Sequence, residues 1–72
     1  MATHLMDIKV GDKRYYISYS GSDVYYSTTK GSGSFRLRKA KFNSKRNELL
    51  LCENGDCFVP TEFELAQAIR DN

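Results

Sequence analysis

Turn signals recur along this chain at intervals of about ten residues, which is the spacing of an antiparallel meander. They are Val10-Gly11-Asp12, Ser20-Gly21-Ser22-Asp23, Lys30-Gly31-Ser32-Gly33-Ser34, Asn43-Ser44-Lys45-Arg46-Asn47 and Glu53-Asn54-Gly55-Asp56. Between them there is room for short strands and for no long helix. Asn54-Gly55 is the sharpest of the five. A two-residue type I′ turn needs positive φ at both central positions, and Asn-Gly meets that need.

The intervening segments read as strands at 5–10, 13–19, 24–29, 35–42, 48–53 and 56–59. In the second, Tyr15, Ile17 and Tyr19 share one face, and Tyr16, Ser18 and Ser20 the other. In the third, Val24, Tyr26 and Thr28 oppose Tyr25, Ser27 and Thr29. Both have an apolar and a mixed face, as in a half-solvated sheet. The fourth breaks frame: Phe35 and Leu37 share one parity, Ala40 and Phe42 the other. One extra residue near Arg38-Lys39 would return both pairs to the core side, which predicts a β-bulge.

A helix is predicted over 62–71. Thr61 and Glu64 form a capping box, and Pro60 ends the strand before it. Phe63, Leu65, Ala66, Ala68 and Ile69 supply the buried stripe. The expectation is a single α+β domain over residues 1–72. Its core is a strongly bent antiparallel β-meander of five or six strands, like an SH3-like or OB-like barrel, with one C-terminal α-helix. Such names describe architecture and carry no function. At this length only roughly 60% of the unfolded surface is buried, so the core is small.

The charge is separated along the chain. From Val24 to Asn47 there are seven bases (Lys30, Arg36, Arg38, Lys39, Lys41, Lys45, Arg46) and no acid, giving +7. From Glu48 onward six acids face Arg70 alone, giving −5. The first 23 residues cancel, so the net charge of +2 conceals the separation. A dipolar surface of this kind steers a charged partner to one side. Arg36, Arg38, Lys39 and Lys41 on the fourth strand, with Lys45 and Arg46 in the next turn, suit phosphates. Tyr16 and Tyr25, on the more polar faces, suit base stacking. The bland alternative is a solvated outer face.

Other constellations are weaker. Cys52 and Cys57 face each other across the Asn54-Gly55 hairpin, close to disulfide distance. The expected state is a pair of reduced thiols, with a redox switch as the alternative. A zinc site would need more ligands than these two and His4, the one histidine. His4 has no acid or nucleophile beside it in the sequence pattern, and no catalytic set forms around it. Lys30–Ser34 lacks P-loop spacing and precedes a strand. The acidic residues lack a calcium-loop pattern. No cofactor, metal or catalytic residue is expected.

No apolar run approaches the roughly 20 residues that cross a bilayer. Met1–Asp7 has neither the basic start nor the apolar run of a secretory signal. The expected setting is cytoplasmic, or host cytoplasm for a viral chain. The functional expectation is a small non-catalytic binding protein for an anionic partner, nucleic acid or an acidic protein surface. The alternative is a protein-interaction factor, such as a phage-like or mobile-element inhibitor or adaptor using its basic or acidic face. A homo-oligomer pairing the two faces is a further expectation.

Overall fold

The computed structural model of this chain describes residues 2–28 and 34–72. Six strands run in chain order: β1 (Thr3–Val10), β2 (Lys13–Ser20), β3 (Asp23–Ser27), β4 (Phe35–Asn43), β5 (Glu48–Glu53) and β6 (Asp56–Phe58). Among the described residues one helix, α1 (Glu62–Arg70), follows. Each strand pairs antiparallel with the next, so the sheet order is β1-β2-β3-β4-β5-β6. The sheet curls into a half-barrel with α1 against β1 and β4. The turn expected at Lys30–Ser34 lies outside the described residues, except for Ser34.

Local chemistry sets the connections. Asn54 has φ 53° and Gly55 φ 85°, both positive, as the expected tight hairpin requires. Asn43 shapes the β4–β5 turn: its Oδ1 accepts from the Lys45 amide at 3.1 Å and the Arg46 amide at 3.4 Å. The capping box is complete. Thr61 Oγ1 accepts from the Glu64 amide at 3.1 Å, and Glu64 Oε1 accepts from the Thr61 amide at 2.8 Å.

The inner face of the sheet and one stripe of α1 make the core. Ile8, Ile17, Val24 and Leu37 are its most enclosed side chains. Leu65, Ala66, Ala68 and Ile69 close it from the helix. Tyr19 stacks on Phe42, with ring centroids 3.9 Å apart.

The bulge in β4 is longer than expected. Tyr25 pairs with Arg36 and Asp23 with Lys41, so Val24 alone faces Leu37, Arg38, Lys39 and Ala40. Three extra residues sit on β4, where one was expected. Three is odd, so the parity shift is the same, and Leu37, Ala40 and Phe42 all turn inward. The added length bends the strand more than a one-residue bulge would. A second irregularity, not expected from the sequence, lies between His4 and Met6 of β1.

Two aromatic side chains expected inside are outside. Phe35 is 67% exposed, and its ring meets that of Tyr26 at a centroid distance of 5.8 Å. It opens β4 ahead of the bulge, at the margin of the core. Phe63 is also 67% exposed. The buried stripe of α1 is centred on positions 65, 66, 68 and 69, and Phe63 falls to one side of it.

Asn72 fills a gap in the β4 ladder. β5 pairs only with Ala40–Asn43, leaving the earlier part of β4 without a partner from that strand. The Asn72 side chain takes that role: Oδ1 accepts from the Arg38 amide at 2.9 Å, and Nδ2 donates to the Arg36 carbonyl at 3.0 Å.

Two expected outcomes test this account. Leu37→Ala should cost about 2–5 kcal/mol, as for other buried leucines, while Phe35→Ala should cost much less. Equal losses in chemical denaturation would place the bulge elsewhere. Gly55→Val should cost more than about 1 kcal/mol, because a β-branched residue resists positive φ. An unchanged denaturation midpoint would contradict the turn geometry.

Candidate functional site

Cross-strand register assigns side chains to faces without ambiguity, since directly paired residues point the same way. Tyr16 pairs with Asp7 on β1 and Ser27 on β3. Tyr25 pairs with Ser18 on β2 and Arg36 on β4. By parity all of these belong to the outer face, away from α1, on which Ser27 is nonetheless buried. Tyr16 and Tyr25 are therefore diagonal neighbours on adjacent strands. Such neighbours sit about 7–8 Å apart. Both tyrosines are half-buried, so each ring leaves part of its surface to solvent.

The same face collects cations that the sequence alone did not single out. Arg14 shares the parity of Tyr16 on β2, and Lys9 stands directly opposite Arg14. Two like charges in direct cross-strand register destabilise a sheet. Extending the β2 alternation back by one step would have found Arg14. Lys9 required the β1–β2 register.

Of the residues expected to bind, the structure brings Tyr16, Tyr25, Arg36 and Lys41 onto this outer face. Arg36 is partly neutralised, its Nη2 lying 3.5 Å from Asp23 Oδ1. Lys45 and Arg46 are exposed in the turn that follows β4. Arg38 lies within the bulge, exposed, with its backbone amide held by Asn72. Lys39 turns elsewhere: its Nζ lies 3.4 Å from Glu53 Oε1, beside the β5–β6 hairpin. Among the described residues, Lys9, Arg14, Arg38, Lys41, Lys45 and Arg46 have no carboxylate within ion-pairing distance. His4 does have a partner: its Nε2 is 2.6 Å from Asp7 Oδ1, on the exposed surface.

Cys52 and Cys57 are directly paired in register, with Cα atoms 4.0 Å apart and the sulfurs bonded. The expectation of reduced thiols is thus corrected. The short cross-strand pairing set by the Asn54-Gly55 turn brings the two side chains together. Among the described residues, no three His, Cys, Asp or Glu side chains gather at one point. No described helix is long and apolar enough to cross a membrane.

No family model, curated protein or solved structure matches the chain. Its chemistry must be read from its own surface. That surface has two tyrosines on one pleated sheet, Tyr16 opposite Asp7 and Tyr25 opposite the Asp23-paired Arg36, with Arg14 and Lys41 on the same face.

The disulfide closes a short loop, worth about 2 kcal/mol on a chain-entropy estimate. Changing Cys52 and Cys57 together to serine should lower stability by that order while the circular-dichroism spectrum keeps its β signature. Loss of the spectrum would make the bond a requirement for folding. Chelator should leave the melting temperature of the unaltered protein unchanged, since a structural metal would have contributed folding energy.

Proposed function

We propose that this chain is a non-catalytic binding module whose outer sheet face takes single-stranded nucleic acid. The observation that carries the reading is the register: Arg14, Tyr16, Tyr25, Arg36 and Lys41 share one face, with the tyrosines as diagonal neighbours. Bases of any identity stack on aromatic rings, and flanking cations follow the phosphates. The pairing of Lys9 with Arg14 supports the same reading. It costs the free protein stability, and an arriving phosphate would relieve the repulsion.

The roles divide by position. Tyr16 and Tyr25 stack bases. Arg14, Lys9 and Lys41 neutralise phosphates, and Lys45 and Arg46 extend the contact beyond β4. Arg36, opposite Tyr25, exchanges its Asp23 partner for a phosphate or serves both. Nothing in this arrangement reads base edges, so the binding is tolerant of sequence. A cytoplasmic setting belongs to this reading, and alkylation in freshly lysed cells would report whether Cys52–Cys57 is open or closed there.

Fluorescence anisotropy of a labelled oligothymidylate at low salt tests the proposal. Each neutralised phosphate should add about −0.7 to the slope of log K against log salt. Replacing Arg14 and Lys41 with alanine should flatten the slope by about two such contacts. Tyr16→Ala and Tyr25→Ala should each cost about 1–3 kcal/mol of affinity. They should leave the salt slope nearly intact. Absence of binding at tens of micromolar protein would refute the nucleic-acid reading.

A further inference from the structure

The exposed large hydrophobic side chains among the described residues are Phe35, Phe58, Val59 and Phe63. Val59 lies apart, beside Leu49 and Pro60, and the other three fall in two places of opposite charge.

The first place is a groove of about 290 Å³ between the β5–β6 hairpin and α1. Leu51, Phe58, Phe63 and Ala68 give it an apolar lining. Its rim is acidic. Glu53, Glu64 and Asp71 outnumber Lys39, and Lys39 is already paired with Glu53. The groove sits at the lower end of the roughly 300–1,000 Å³ of common small-molecule sites, a scale that also suits one anchoring side chain.

The second place is the start of β4. Phe35 is 67% exposed, paired in register with Tyr26, and Arg38 is exposed three positions on, while Arg36 points to the other face and is held by Asp23. Arg38 has no carboxylate partner among the described residues. This segment has the two properties that the groove calls for, an aromatic anchor and flanking positive charge.

We infer that a second copy of this chain occupies the groove, inserting Phe35 between the aromatic walls and setting Arg38 against the acidic rim. The inference is independent of the nucleic-acid reading, which rests on the opposite face of the sheet. The contact is heterologous, groove against β4 segment. It closes into a pair when each copy fills the other's groove, and otherwise extends head to tail. A standard interface takes roughly 800 Å² from each partner, whereas the whole surface here is 4979 Å². One anchor and its rim cover less than such an interface, so association is weak and salt-sensitive.

Sedimentation equilibrium from micromolar to millimolar protein, at low and high salt, measures this. The expected result is a weight-average mass that rises above 8.3 kDa with concentration at low salt and falls back as salt is added. Two charge-reversed proteins sharpen the test. One carries Glu53→Lys and Asp71→Lys in the groove, and the other Arg38→Glu on β4. Each alone should lose affinity for itself by about tenfold or more, because like charges then meet. Mixed in equal amounts they should associate again, since each groove then meets an oppositely charged segment. Circular dichroism confirms that both fold. Phe35→Ala should weaken association without charge change. A mass fixed at 8.3 kDa throughout would overturn the inference. So would association that ignores both reversals, or a mixture that fails to restore it.

Discussion

The three extra residues in β4 set the shape of everything around them. They let one strand turn Leu37, Ala40 and Phe42 into the same core although their spacing follows no single strand period. A regular β4 would expose either Leu37 or the Ala40–Phe42 pair. The resulting bend curls the sheet around α1, and α1 in turn covers the inner face. Where β5 stops short of the bulged part of β4, Asn72 takes its place by bonding the Arg36 and Arg38 backbone. Bend, core and helix position therefore depend on one another.

The bulge also distributes the basic residues. In a regular strand Arg36, Arg38 and other even-numbered positions would form one row. Here Arg36 and Lys41 share the outer face, and Lys39 reaches Glu53 beside the hairpin. The acid-free run in the sequence thus becomes two surfaces with different neighbours. One faces solvent with Tyr16 and Tyr25. The other borders an apolar groove with carboxylates on its rim.

Much of the architecture was legible in the residues, because hairpins are written in local chemistry. Asn54-Gly55 fixes two φ angles, and Thr61 with Glu64 fixes a helix start. The alternation in β2 sorts Tyr15, Ile17 and Tyr19 from Tyr16 and Ser18. These signals act within a few positions of the chain. What was less legible depended on distant partners. The length of the bulge follows from how β3 meets β4, so parity revealed its existence and not its size. Phe35 and Phe63 carry apolar side chains at plausible core positions, but the core ends before reaching them. The bonded cysteines were half legible: the hairpin placed them opposite each other, while their oxidation state is no property of the spacing. On the candidate face, Arg14 was one step along a known alternation. Lys9 and the diagonal placement of the tyrosines emerged only from register.

The two margins of the sheet have a consequence for how this protein behaves when concentrated. β1 is irregular between His4 and Met6 and is contacted by α1, and β6 is only three residues long and is closed off by Pro60. Neither offers the long, flat row of free amides and carbonyls that templates a neighbouring strand. A chain that is mostly strand is thereby protected from fibril growth through its backbone. Copies that meet must recognise one another through side chains, and contacts of that kind are reversible.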